Sequence, residues 1–259
     1  MSKEQVADLV RFAEELADAS RDILTQALNQ PPKVETKADK SPVTALDKAV
    51  EARLRAMIEA RYPRHGIQGE EYGAKDRGAE HVWVLDPIDG TGPFIANIPV
   101  FGTLIGLARA GQPLVGVADH PVTRERWVGA SGLPSRLNGR PVRTRHGAPL
   151  AGAMMSSSSP DFYAPDEWAR YLKLRQQVAW AVYGGSCYAY CQLGSGRIDL
   201  SVDCAMDVYD ILPLEPIIRG AGGIVTDWAG KGIDLDWRGA VLAAGDPALH
   251  AKALALLRD

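Results

Sequence analysis

Apolar residues recur at helical spacing from the start of the chain: Val6, Leu9, Val10, Ala13, Leu16, Ile23 and Leu24 share one face. An amphipathic helix is therefore expected over about 4–29, stopped by Pro31-Pro32. The polar segment 36–43 reads as a loop or irregular hairpin. Thr44 then opens a second helix, with its hydroxyl as cap, Asp47 closing the capping box, and Leu46, Val50, Leu54, Met57 and Ile58 as the apolar face. A short extended run over 66–73 carries Glu70-Glu71, and the apolar run that starts at Trp83 ends abruptly in Asp86-Pro87-Ile88-Asp89-Gly90-Thr91. Beyond it, 101–109, 114–119 and 124–130 read as three strands of an antiparallel meander, and Asn138-Gly139 marks a further tight turn.

Composition shifts near 148–151, and strand and helix patterns alternate from there: strands over 152–155, 178–182, 198–202, 224–228 and 241–244, and helices over 166–175, 186–193 and 210–219, with a terminal helix carrying Leu249, Ala253, Leu254 and Leu257. The expected organisation is an N-terminal α+β domain over 1–147 and a C-terminal α/β domain over 148–259.

Among 259 residues, 46% are hydrophobic and 24% charged, as expected of a globular chain with an ample core. A net charge of −3 leaves no basic footprint for nucleic acid. The N-terminus is charged and amphipathic rather than an apolar signal core, and no run reaches membrane-spanning length, so a cytoplasmic protein is expected. Cys187, Cys191 and Cys204 lack C-x-x-C spacing and read as buried reduced thiols.

The stretch after Leu85 carries candidate chemistry. Two carboxylates about 4 Å apart repel by roughly 4 kcal/mol at an effective dielectric of about 20, and a divalent cation would remove that penalty. Pro87 bars a regular ladder, Gly90 permits close backbone approach, and Pro93 suits a first helical turn, so the amides of Gly90 and Thr91 could face an anion. An Asp-Pro turn with Asp89 as a helix cap would account for the same residues. Acids also cluster at Glu70-Glu71 and over 207–210; oxygen-rich, histidine-poor sites suit Mg²⁺ before Zn²⁺, and hence phosphate chemistry.

Gly69-Glu70-Glu71, then Trp83-Val84-Leu85-Asp86-Pro87-Ile88-Asp89-Gly90-Thr91, then Asp210 followed twelve residues later by Gly222-Gly223, resemble the inositol monophosphatase-like family of metal-dependent, lithium-sensitive phosphatases. The likeness spans essentially the whole chain. It implies a layered αβαβα sandwich of the inositol monophosphatase and fructose-1,6-bisphosphatase type, with an N-terminal antiparallel sheet and two helices, then a C-terminal α/β layer. By resemblance, Glu70, Asp86 and the Ile88 carbonyl are ligands of a first Mg²⁺, and Asp86, Asp89 and Asp210 of a second. Glu70 helps hold a third. Thr91, hydrogen-bonded to Asp47, would orient and help deprotonate the attacking water, while phosphate would lie at the amides of Gly90 and Thr91. One departure stands out: Gly92-Pro93 occupy positions where relatives carry polar or basic residues, which removes any side-chain contact from there.

The segments 156–162, 184–190 and 208–210 resemble the histidinol-phosphate phosphatase branch, with Tyr209 where animal inositol monophosphatases favour tryptophan. Gly184, Gly185, Ser186 and Asp203 are the implied substrate contacts. Asp203, seven residues before Asp210, could bind the ammonium of histidinol or accept from inositol hydroxyls. The resemblance thus implies hydrolysis of L-histidinol phosphate in histidine biosynthesis, with inositol 1-phosphate or a broader set of sugar phosphates as the alternative. A nucleotide 3′-phosphate lacks a visible adenine-binding signature, and a non-catalytic relative would be expected to have lost a ligand. Relatives are commonly homodimers; Trp168, Trp180 and Tyr183 could serve an interface or the core.

Overall fold

The computed structural model describes residues 1–28, 33–36 and 42–258. The N-terminal pattern folds as α1 (Lys3–Ala27), started by a capping box between Ser2 and Gln5. Its expected stop at Pro31-Pro32 lies outside the described residues. The polar segment is bracketed by β1 (Val34–Thr36) and β2 (Pro42–Thr44), paired antiparallel, with 37–41 outside the described residues. α2 (Ala45–Arg61) starts as its capping box dictates: the Thr44 amide and hydroxyl donate to Asp47 at 2.8 and 2.6 Å.

A large mixed sheet follows, built from β3 (Gly66–Gly69), β4 (Gly73–Lys75), β5 (His81–Asp89), β6 (Gly102–Arg109), β7 (Gln112–His120), β8 (Glu125–Ala130), β9 (Leu133–Leu137) and β10 (Arg140–Pro141), with the short α3 (Thr91–Ile95) between β5 and β6. Its order is β10-β9-β8-β7-β6-β5-β3-β4. The meander is antiparallel from β5 to β10, whereas β3 runs parallel to β5, so Glu70 leaves the sheet beside Leu85.

The second half supplies β11 (Met154–Ser157), α4 (Pro165–Arg175), β12 (Trp180–Tyr183), α5 (Ser186–Gly194), β13 (Leu200–Met206), α6 (Val208–Ile211), α7 (Leu214–Gly220), β14 (Ile224–Asp227), β15 (Gly239–Ala244) and α8 (Pro247–Arg258). Sheet order is β12-β11-β13-β15-β14, parallel among the first three and antiparallel beyond. The helix expected over 210–219 is two: Pro213 has no amide to donate and stands as the N-cap of α7.

Alternate faces of each strand sort the layers. Trp83, Leu85, Ile105 and Val117 pack under Leu16, Leu54 and Ile58 of α1 and α2. Val84, Leu104 and Trp127, on the opposite face, meet Tyr190, Ile211, Leu214 and Ile217 of α5, α6 and α7, which also lean on Val225, Val241 and Ala243. Met155, Val202 and Leu242 are covered by Tyr171 and Leu174 of α4 and Leu249 and Leu257 of α8. The result is the expected αβαβα sandwich, and all three cysteines are buried and free within it.

One local feature sets where the middle layer sits. Gly106, Gly116 and Gly129 stand in register across β6, β7 and β8. A Cβ on any of them would run into Leu212, Pro213, Pro216 or Ile217. These three bare positions make a furrow that seats the α6–α7 backbone directly on the sheet, and Asp210 is carried on the helix just before it.

Candidate active site

In a regular strand, residues three apart face opposite sides. β5 escapes this rule: Asp86 pairs with Leu104 and Asp89 with Gly102, so an extra residue bulges out between them. Pro87, without an amide, costs the ladder nothing there, and its carbonyl accepts from the Thr103 hydroxyl at 2.8 Å. The bulge turns both carboxylates toward the C-terminal end of the strand, where α6 delivers the third. Oxygens of Asp86, Asp89 and Asp210 lie within 4.8 Å of one another.

Three carboxylates so close are unfavourable when ionised. Burial, followed by the charges of Glu70, Asp89, Asp210 and Asp47, pushes the Asp86 carboxyl well above its usual range. Burial and then Asp89 do the same to Asp210; Asp89 is raised by burial, while hydrogen bonding from Cys187 works the other way. Asp86 Oδ1 is buried with no hydrogen-bond partner among the described residues. An orphaned carboxylate oxygen among all-oxygen donors matches a hard divalent cation, which would supply both the missing partner and the missing positive charge. Glu70 is outside the three-residue cluster, yet its charge is the largest after burial acting on Asp86.

The neighbouring groups are held individually. Asp89 Oδ1 accepts from the Cys187 amide at 2.8 Å, tying the first turn of α5 to β5. Burial and Asp89 together keep the Cys187 thiol protonated. Asp210 accepts from the Asp207 amide at 2.7 Å, so it caps its own helix as well as joining the cluster. Gly90 has φ of 81°, a left-handed conformation that glycine adopts freely, and a Cβ there would meet the Ser186 hydroxyl 3.0 Å away. Gly90 thereby lies against the Gly184-Gly185-Ser186 turn. The Thr91 hydroxyl donates to the Ile88 carbonyl at 3.2 Å. Asp47 is fully buried on α2, serving the capping box while its charge reaches Asp86. Gly92 is exposed and Pro93 half-buried in α3, neither offering a polar side chain. Tyr209 sits next to the acids, and burial together with Asp210, Asp207 and Glu70 raises its phenol.

Asp203 stands differently from the other expected site residues. It is 1% exposed, and its carboxylate accepts from the Ser158 amide (2.6 Å), the hydroxyls of Ser158 (3.1 Å) and Ser157 (3.2 Å), and the Tyr190 hydroxyl (2.8 Å). Burial raises it to about 6 against those hydrogen bonds. Both oxygens are occupied by protein donors, so in this conformation the side chain braces β11, β13 and α5 rather than standing open to a ligand.

Sequence reasoning passed over Glu51 and Arg55. Glu51 is fully buried on the same stripe of α2 as Asp47 and accepts from the amides of Glu71 and Tyr72. The available signal was an acid four residues after Asp47, set between the apolar Val50 and Leu54.

Residues 5–259 match the model of the inositol monophosphatase family. The chain is 40% identical over 261 residues to the chloroplastic bifunctional phosphatase IMPL2 of Arabidopsis thaliana, across 95% of this chain and 75% of that protein. It is 32% identical over 205 residues to a histidinol-phosphatase of Mycobacterium tuberculosis, across 76% and 78% of the two chains. An inositol monophosphatase structure from Zymomonas mobilis superposes with a TM-score of 0.90 at 38% identity over 100% of both chains.

Proposed function

Because the chain belongs to the inositol monophosphatase family of phosphatases, we propose that it is a Mg²⁺-dependent phosphomonoesterase whose substrate is L-histidinol phosphate, acting in the cytoplasm in histidine biosynthesis. The observation that carries the hydrolytic part is the Asp86, Asp89 and Asp210 cluster with its orphaned Asp86 oxygen. In this reading Glu70, Asp86, the Ile88 carbonyl, Asp89 and Asp210 would hold two to three Mg²⁺ ions. When bound, these ions supply Lewis acidity and neutralise charge on the phosphate and its leaving oxygen.

The chain's own groups then do the positioning. The amides of Gly90 and Thr91 face the phosphate, and the left-handed Gly90 lets the backbone approach it. The Thr91 hydroxyl, redirected from the Ile88 carbonyl to donate to Asp47, would accept from the attacking water and orient it. No side chain needs to become covalently modified, since in-line attack by water asks mainly for alignment and charge neutralisation. Ser186, beside Gly90, borders the leaving alcohol together with Gly184 and Gly185. Asp203 serves that wall from behind through Ser158.

Choice of alcohol rests on likeness: the 32% identity to a histidinol-phosphatase, with Tyr209 preceding Asp210. A second reading, inositol 1-phosphate, is favoured by the 38% identity to the Zymomonas mobilis inositol monophosphatase. Values of kcat/KM on the two esters, measured side by side, separate them: preference for histidinol phosphate is expected, and equal or reversed preference overturns it. Asp89→Asn is expected to abolish phosphate release while the protein still folds; an active variant would break the ion assignment, and a wild-type protein inert on both esters and on a panel of sugar phosphates would indicate a non-catalytic relative. We also propose a homodimer. Trp168 packs against Tyr163 and Tyr171, but Trp180 and Tyr183 are exposed on the edge strand β12 with Val182. Light scattering should give twice the chain mass, falling to one chain in Trp180→Glu.

A further inference from the structure

Glu70 reaches the site from a short turn rather than from a strand or helix, so something must hold that turn. On one side the Glu70 amide donates to the Leu85 carbonyl at 3.1 Å, tying it to β5. On the other side stands a pair from α2, one helical turn apart. Glu51 accepts the Glu71 amide on one oxygen (2.7 Å) and the Tyr72 amide on the other (3.2 Å). Arg55 donates its Nε to Glu51 at 2.7 Å and its terminal nitrogen to the Gly73 carbonyl, and its guanidinium lies 5.9 Å from the centre of the Tyr72 ring.

The pair is built in rather than incidental. Glu51 is fully buried and the Arg55 side chain is 14% exposed. A buried carboxylate is tolerated only when its lone pairs are taken, and here two successive amides and a guanidinium take them. Gly69, the last residue of β3, leaves room for the Glu51 carboxylate, which a Cβ there would push out of place. Asp47 lies one turn earlier on the same helical stripe, so α2 presents Asp47, Glu51 and Arg55 in a row along the site.

We propose that Glu51 and Arg55 form a positioning clamp that sets the affinity of the site for its divalent ion by fixing the turn that presents Glu70. This rests on Glu70 being an ion ligand. Neither clamp residue touches the ion; they act through the backbone of 71–73, as outer-shell partners act on ligands in other metal sites, where their loss typically costs about 10- to 100-fold in affinity.

The test is a MgCl₂ titration of ion-stripped protein by calorimetry, with the Mg²⁺ half-saturation of activity measured alongside. Glu51→Gln keeps the shape but turns an NH₂ toward an amide donor; it is expected to weaken Mg²⁺ binding about 10-fold. The KM for the ester at saturating Mg²⁺ should stay within about 2-fold of wild type. Arg55→Gln, a milder change, should weaken Mg²⁺ binding by about 3-fold, and it decides the matter if Glu51→Gln does not melt cooperatively. Glu70→Gln is the reference. If Glu70→Gln binds Mg²⁺ weakly while both clamp variants melt at lower temperature but bind Mg²⁺ with the wild-type constant, the clamp is merely structural and the proposal falls. If Glu70→Gln itself binds Mg²⁺ as wild type does, the ion assignment of Glu70 is what fails.

Discussion

Replacing Asp210 by asparagine should have two opposite effects, and that opposition makes it a demanding test. In the ion-free protein, the Asp210 oxygen lies within 4.8 Å of oxygens on both Asp86 and Asp89. Two unit charges at that separation repel by about 3 to 4 kcal/mol at an effective dielectric of about 20. Much of this is already relieved, because burial and mutual repulsion raise these carboxyls and so favour their protonated forms. A residual gain of about 1 to 2 kcal/mol is therefore expected when the charge is removed, worth roughly 2 to 8 °C in Tm for a chain of this size. The helix cap survives, since the asparagine carbonyl can accept from the Asp207 amide as Asp210 does. With ion present the order reverses. Wild type should gain about 2.7 kcal/mol at Mg²⁺ a hundredfold above its Kd, whereas the variant has lost a ligand and should gain little. Differential scanning calorimetry with and without MgCl₂ reads both effects. Folded-state carboxyl values are raised, so the repulsion is present at high pH and fades as pH falls; the ion-free advantage of Asp210→Asn should shrink in the same direction. An Asp210→Asn protein that melts lower without Mg²⁺, or keeps the full Mg²⁺ shift, would refute the reasoning.

Other substitutions probe the frame around the site. Gly116→Ala forces a methyl against the Pro213 carbonyl; a loss of about 3 kcal/mol in urea unfolding is expected, with weaker Mg²⁺ binding because α6 is lifted from the sheet. Asp203, raised to about 6 from 3.8 by burial, costs stability once ionised. Wild type should therefore gain up to about 3 kcal/mol relative to Asp203→Asn as pH falls from 7 to 4, measured by urea midpoints at each pH. His65 acts in the opposite sense. Burial, then His81 and Arg64, lower it to about 4, so stability present above 6.5 is lost as pH falls toward 4. After allowance for its partial exposure the loss should be about 1 to 2 kcal/mol. His65→Gln, which can still accept from the Trp83 indole, should flatten that limb of a Tm-against-pH curve.

Much of the fold was legible because it is locally encoded. The helical stripe of α1, the Thr44–Asp47 capping box, the turn-bounded strand runs of the meander and the Asn138-Gly139 turn each specify structure within a few residues, and each stands where its pattern put it. The acids were legible as a set because Asp86-Pro87-Ile88-Asp89-Gly90-Thr91 combines types that rarely serve a core, in an order that Glu70 before it and Asp210 after it complete. The split between α6 and α7 was readable from Pro213 but was outweighed by the apolar periodicity around it.

Tertiary structure decided what depends on two distant segments meeting. Asp86 and Asp89 share a face because β5 bulges against β6, which no periodicity within β5 reveals. Asp210 joins them because Gly106, Gly116 and Gly129 happen to fall in register and open a furrow for α7; spaced along three strands, they look in sequence like unrelated turn or packing residues. Asp203 shows the same limit from the other side. The family resemblance implied a substrate contact there, yet four donors from Ser157, Ser158 and Tyr190 enclose it. Sequence states which groups a chain can offer and how each element begins and ends, because caps, turns and periodicity are short-range. Which of those groups face one another, and which are used up by neighbours, follows from register and packing between elements, and those exist only once the chain has folded.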